Sequence, residues 1–353
     1  MSGKTGGYAS SRLVAKLILC FAVLVPGCAT RHFGNQTAPG PPAWVEESLR
    51  AAVEKLAGEI GERNLYRPEN LNRASVWIEE QLRSLGYEIT RQTVVVSTNT
   101  FRCSASAADN IEAKLIGSRN PERNIVIGAH YDTKVATAGY REAWPPLPER
   151  SGTPGANDNG SGVAALLALA KSLSAQPCAS TVRLVFFANE EPPFFRKPIA
   201  MGSYAYARAL RNEGVKVEAM LSLETLGCYS VRPHKKRMQL ASVAGLPSAP
   251  DYVAFLSNLA SWQQSTRWAD AYSKHSRIAA RTWSVPALSA RVGWSDDWAF
   301  WKLGFPAFCI TDTAFLRNDD YHETSDTPQH LDYPTFAAVV WGLEQAIRQI
   351  ANE

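Results

Sequence analysis

The stretches RNIVIGAHYDT (residues 123–133), GVAALLALAKSLSA (162–175) and TVRLVFFANEE (181–191) decide the fold between them. The first and third are short runs of β-branched and aromatic residues, apolar nearly throughout, that end abruptly in acids or histidine. The second repeats its apolar residues at three- and four-residue intervals, the period of a helix. Strand, helix and strand in that order argue for parallel strands, and strands apolar on both faces are buried on both.

Working outward, YEITRQTVVV (87–96), NIEAKLIG (110–117), VEAMLSLETLG (217–227) and FPAFCITDT (305–313) read as further strands. AWVEESLRAAVEKLAGEI from Ala43, NRASVWIEEQLRSLG from Asn72, GSYAYARALRNEG (202–214) and a segment from about Pro334 to Ala351 read as helices, with Gly86 ending the second of them. The alternation predicts an α/β architecture in which a largely parallel sheet lies between layers of helices. With 353 residues, 45% hydrophobic and 20% charged, the chain can bury a large core, which excludes a disordered, collagenous or coiled-coil protein. No internal repeat and no change of composition divides residues 43–353, so they are read as one domain.

Residues 1–27 carry Lys4, Arg12 and Lys16 but no acid, followed by the apolar stretch LILCFAVLV (17–25). That is the pattern of a bacterial export signal, and it is too short for a membrane span, which needs about 20 apolar residues. Val25-Pro26-Gly27-Cys28-Ala29 is similar to a lipoprotein processing site, although Pro26 fits it poorly. Lipidation of Cys28 would anchor the protein to a membrane of the cell envelope, with ordinary secretion or a retained anchor as the alternatives. Residues 28–42, rich in Gly, Pro and polar groups, read as a tether. Removing residues 1–27 takes three basic charges and lowers the net charge from +4 to +1. A nearly neutral chain whose one dense basic run is RPHKKR (232–237) gives no footprint for nucleic acid. Cys103, Cys178, Cys228 and Cys309 lack CxxC spacing, and are either two disulfides or buried free thiols.

Acids and histidines gather at the C-terminal ends of the strands, where ligands bind in open α/β sheets. His130 and Asp132 end the first run; two apart on extended chain they share a face, so Asp132 is placed to accept the second imidazole N–H of a metal-bound His130. Asp158 stands in the turn GANDNGSG directly before a helix, where a plain helix cap is the simpler reading. Glu190 and Glu191 are adjacent carboxylates after an apolar strand and repel each other unless a cation or a shared proton compensates. Glu224 sits inside the apolar MLSLETLG, and His322 follows the last strand. Two imidazoles with several carboxylates suit borderline-to-hard divalent metals, zinc foremost, and a bridging carboxylate allows two ions about 3.5–4 Å apart.

Four segments in this order, GAHYDT, GANDNGSG, FFANEEPPFF with MGS following, and SDDWAFWKLGFPAFCITDTAFLRNDDYHETSDTPQHLDY, together resemble metallopeptidase family 28, the co-catalytic zinc aminopeptidases and glutaminyl cyclases. The resemblance runs from about Glu46 to Ile350. It implies a three-layer α/β/α zinc-exopeptidase fold with a mixed, largely parallel central sheet, and two zinc ions per chain. Asp158 would bridge the ions, His130 and Glu224 would complete one site, and Glu191 and His322 the other. Asp132 would orient His130, and Glu190 would be the general base in hydrolysis of peptides with a free N-terminus. It further implies a cis peptide at Asp158-Asn159.

Two positions depart from the family pattern: Glu224 stands where many relatives have Asp, leaving cobalt or manganese as possible occupants of that site, and Asp297 stands where His is common and is assigned no role. Six tryptophans, Trp262, Trp268, Trp283, Trp294, Trp298 and Trp301, precede the last motif; most are expected in the core, with one or two lining a pocket for a bulky first side chain. The competing readings are a single-zinc glutaminyl cyclase and a non-catalytic envelope binding protein on the same fold. A serine hydrolase is disfavoured because no GxSxG elbow follows a strand.

Overall fold

The computed structural model describes residues 28–137, 146–229, 251–287 and 293–353. The export segment, the basic run at 232–237 and part of the long loop after residue 134 lie outside the described residues. Among the described residues nine strands form one sheet: β1 (Cys28–His32), β2 (Ile89–Val95), β3 (Ala107–Leu115), β4 (Asn120–His130), β5 (Ser180–Phe187), β6 (Val217–Glu224), β7 (Tyr252–Asn258), β8 (Ala279–Val285) and β9 (Ala307–Thr311). Their order across the sheet is β1-β8-β7-β9-β6-β4-β5-β3-β2.

The centre, β5-β4-β6-β9, is parallel, as is the β7-β8 pair. The pairs β1-β8, β7-β9, β3-β5 and β2-β3 are antiparallel, so the sheet is mixed and its parallel character is a property of its middle. Residues 96–106 joining β2 to β3 are too few for a crossover, and those strands therefore run in opposite directions.

Helices cover both faces. On one lie α1 (Ala43–Val53, continued by a π-helical stretch Glu54–Ile60), α2 (Pro68–Ser84), α3 (Gly162–Ala175), α5 (Trp262–His275) and α7 (Tyr333–Asn352), packed on the larger core. On the other lie α4 (Gly202–Asn212) and α6 (Asp297–Lys302), over a smaller one. The two-residue period of the strands divides their side chains between these cores. Ile125, Ile127 and Ala129 of β4 and Val182, Leu184 and Phe186 of β5 enter the larger, while Val126, Val185 and Phe187 enter the smaller. That is why these strands read as unbroken apolar runs.

Phe308 of β9 joins the larger core, with its ring 6.0 Å from Phe255 and 6.1 Å from Trp268, and all three are fully buried. Phe308→Ala is expected to destabilise the protein by about 3–5 kcal/mol through lost transfer energy and the cavity left behind. A urea unfolding midpoint within error of wild type contradicts this.

The segment read as a tether is partly built into the sheet. Cys28–His32 pairs antiparallel with β8 from Cys28↔Ser284 to His32↔Ala280, and the Asn35 N–H then bonds the carbonyls of Ser273 and Ser276. Its polar composition disguised an edge strand, where one row of backbone groups needs no partner strand. Cys103, Cys178, Cys228 and Cys309 form no disulfide with one another, and Cys103, Cys178 and Cys309 are buried. Among the described residues no helix is long and apolar enough to cross a membrane.

Candidate metal centre

Because β5, β4, β6 and β9 are parallel neighbours, their C-terminal ends open on one crevice. His130 is the last residue of β4 and Glu224 the last of β6. Glu190 and Glu191 follow β5 in a turn whose Asn189 has a positive φ of 59°, and His322, with φ 66°, stands in the loop after β9. Asp158 lies in the turn before α3, and its peptide bond to Asn159 is cis. The helix-cap reading belongs to its neighbour: Asn159 Oδ1 accepts the Gly162 N–H at 3.0 Å, leaving the Asp158 carboxylate for the crevice.

Two groups of potential metal ligands result, His130-Asp158-Glu224 and Asp158-Glu191-His322, each with ligand atoms within 4.8 Å of one another. Asp158 is common to both. Its Oδ1 lies 3.4 Å from His130 Nε2 and its Oδ2 3.0 Å from His322 Nε2. His130 Nε2 is 3.2 Å from Glu224 Oε2, and His322 Nε2 is 3.4 Å from Glu191 Oε2. Glu190 Oε2 is 3.9 Å from His130 Nε2 and belongs to neither group. Glu224, the longer residue at its position, reaches His130 with its arm held by the Ser295 hydroxyl, which donates to Oε2 at 2.7 Å.

Asp132 differs from expectation in which atom does what. The nearest acceptor to His130 Nδ1 is the Asp132 carbonyl oxygen at 3.1 Å, whereas its carboxylate Oδ1 is 3.6 Å away. That carboxylate instead accepts the N–H groups of Glu190 and Glu191, each at 3.1 Å, because two backbone donors satisfy a buried carboxylate better than one imidazole. Asp132 therefore fixes His130 through its main chain and the glutamate turn through its side chain.

The electrostatics call for positive charge. Burial, reinforced by neighbouring carboxylates, pushes the Glu190 and Glu191 carboxyls well above the usual range. Burial opposes a charged His130, yet Glu224 and Glu190 hold its pKa well above the ordinary value. Asp158 is lowered despite its burial because His130 and His322 flank it. Glu191 Oε1 is buried without a hydrogen-bond donor. Acids packed this closely, with an oxygen left unpaired and two imidazoles among them, fit a bound divalent cation.

Arg63 and Asp326 were not singled out by the sequence reading. Arg63 is completely buried, with its pKa lowered to about 10 by desolvation. Asp326 is buried four residues after His322, and its carboxyl is raised to about 8 by burial. Asp297 accepts the Ser295 N–H at 3.3 Å, is raised well above the normal range by burial, and lies in neither group. Of the six tryptophans, Trp268 is in the large core, Trp298 and Trp301 pack against the small one, and Trp262 is exposed. Trp294 leads to the site: it meets Phe315 edge-on at 4.6 Å, Phe315 approaches Tyr321 at 6.3 Å, and Tyr321 stacks on His322 at 3.9 Å.

The fold is an α/β/α arrangement with a mixed sheet, the one shared by solved zinc-dependent exopeptidases and glutaminyl cyclases. Over residues 110–347 the chain matches the model of peptidase family M28, and it belongs to that zinc-dependent family. It is 30% identical over 334 residues to a protein of Escherichia coli named YfbL, covering 94% of this chain and 97% of that one. Leucine aminopeptidase 1 of Trichoderma harzianum is 22% identical over 295 residues, 80% of this chain and 67% of its own. Among solved structures, a Zn-dependent exopeptidase from Parabacteroides distasonis has a TM-score of 0.63 at 16% identity, covering 88% of this chain and 99% of its own. A glutaminyl cyclase from Tannerella forsythia has the same TM-score and coverage at 20% identity, so fold likeness extends to both activities.

Proposed function

We propose that the protein is an aminopeptidase that holds two zinc ions, one in each group around Asp158. The observation that carries this reading is that two complete three-residue groups share a single carboxylate, with a further carboxyl, Glu190, beside them and outside both. His130, Asp158 and Glu224 would hold one ion, and Asp158, Glu191 and His322 the other. Bound zinc would supply Lewis acidity to the scissile carbonyl and acidify a nearby water.

The chain's own residues do the rest. Glu190 takes the proton of the attacking water and returns it to the leaving amine, a task suited to a carboxyl whose pKa burial has raised. Asp132 keeps it in place by binding its N–H. The surplus of carboxylates around the site favours a substrate that presents a free α-amine, which confines cleavage to the first residue. Trp294 and Phe315, reached through Tyr321 from His322, would receive a bulky apolar side chain.

A panel of aminoacyl-anilides with the zinc-loaded protein tests this. Leu, Phe and Met anilides are expected to be cleaved in preference to Asp and Glu, and N-acetylated substrates to be left intact. Cleavage of acetylated peptides contradicts the exopeptidase reading. Ammonia release from N-terminal glutamine, with no free amino acid, would make the protein a glutaminyl cyclase instead. Phe315→Ala is expected to raise KM for the Phe anilide about 10-fold while leaving the Ala anilide unchanged, about 1–3 kcal/mol being the worth of a small apolar contact.

We also propose export to the cell envelope with a lipid on Cys28, resting on the apolar stretch 17–25 and the small residue before Cys28. The intact mass of protein purified from membranes checks it: loss of residues 1–27 together with an acylated N-terminus is expected, and an unmodified Cys28 contradicts it.

A further inference from the structure

The loop that delivers Asp158 is gripped from two sides by buried charged residues outside both metal groups. Arg63 lies between α2 and the π-helical stretch that precedes it. Its Nη1 donates to the carbonyls of Pro154 at 2.6 Å, Gly61 at 3.1 Å and Leu56 at 3.2 Å, and its Nη2 to that of Gly155 at 3.0 Å. The same guanidinium donates through Nε to the carbonyl of Tyr131 at 2.8 Å, the residue directly after His130. The Arg63 N–H also donates to the Thr133 hydroxyl at 3.0 Å and its carbonyl accepts the Thr133 N–H at 2.9 Å, which adds to this hold on the end of β4.

Asp326 grips the loop from the opposite side. Its Oδ1 accepts the Asn157 N–H at 2.9 Å and its Oδ2 the Asp158 N–H at 3.0 Å, while its carbonyl accepts the Ala156 N–H at 3.1 Å. Two carbonyls of the loop therefore go to Arg63 and the next three N–H groups to Asp326. The loop has little room between them: Gly155 has φ 64°, and a Cβ there would lie 2.3 Å from the Asp158 carbonyl oxygen and 2.5 Å from Thr133 Cγ2. Arg63 thus ties the Asp158 loop to the segment of His130, and Asp326 ties it to the loop of His322.

We propose that Arg63 and Asp326 are positioning residues that fix the shared carboxylate between the two imidazoles, so that both metal groups are set, and lost, together. The clamp rests on the two-ion reading above. A ligand found in one group affects that group first; a residue that places the common ligand affects both. Both side chains bond the backbone that carries Asp158 and its neighbours, and act through it. Arginine suits this role because its planar fork reaches several carbonyls at once, which an ammonium cannot do.

The test is zinc titration of the metal-free full chain against a chromophoric chelator, for wild type, Arg63→Lys, Asp326→Asn, Glu224→Gln and Glu191→Gln. Unfolding of each metal-free protein, followed by circular dichroism, confirms that it is folded. Arg63→Lys keeps the charge but not the fork, and Asp326→Asn keeps the shape but replaces one acceptor with a donor facing a backbone N–H. Both are expected to weaken binding of both ions about 10–100-fold, the usual effect of removing an outer hydrogen-bond partner. Glu224→Gln and Glu191→Gln are expected to weaken mainly one ion each. Should Arg63→Lys fail to fold, Asp326→Asn alone decides. A folded Asp326→Asn protein that binds both ions as wild type does, or loses only one, overturns the clamp. Wild-type protein that takes up fewer than two ions overturns the two-ion reading, and the clamp with it.

Discussion

Glu190→Gln is expected to retain both zinc ions and to lower kcat about 10²–10⁴-fold, the usual contribution of a positioned general base. Glu190 lies in neither metal group, so its loss leaves every candidate ligand in place. The amide has nearly the carboxylate's shape, and the Asp132 side chain holds this position through the backbone N–H, which the substitution keeps. The glutamine side chain cannot take up a proton, so the loss should fall on kcat and little on KM. Measured kcat within a factor of about ten of wild type, with metal content unchanged, removes Glu190 from the mechanism.

Asp158→Asn is expected to have the broadest effect of any single substitution. One Asp158 oxygen faces His130 and the other His322, so an amide leaves one imidazole opposite an N–H donor whichever way it turns. It also removes the negative charge shared by both groups. Zinc affinity at both is expected to fall by more than the 10–100-fold typical of outer partners, and peptidase activity to reach background. The apo protein should lose little stability, because taking one acid from a buried acidic cluster relieves repulsion as well as removing ion pairs. An Asp158→Asn protein that holds one ion with wild-type affinity contradicts the sharing of this carboxylate.

The strands of the sheet's centre were legible because β4, β5 and β6 are apolar on both faces and then end in His130, Glu190-Glu191 and Glu224. That break from buried apolar to acidic is a local signal, and it pointed to His130, Glu190, Glu191 and Glu224, whereas the roles given to Asp158 and His322 came from the family resemblance. The antiparallel flanks carried no such break. β7 (YVAFLSN) is completely buried but short, β8 carries Arg281 and Trp283, and β1 is the polar CATRH, so no period or end signal separated them from loop. The hold of the Asp132 carboxylate on the Glu190 and Glu191 N–H groups was missed because spacing along β4 shows only which face Asp132 occupies, while the turn after β5, which supplies these two donors, is set by tertiary structure. Arg63 and Asp326 were missed for a similar reason. Both bond to backbone groups of residues far away in the chain, and neither the residue type nor its neighbours announces that.

Zinc content of the purified full chain, reconstituted with excess zinc and freed of loosely bound metal, tests the account most directly. Two ions per chain are predicted, one in each group that shares Asp158. A chain that retains one ion or none contradicts the two-ion centre from which the mechanism follows.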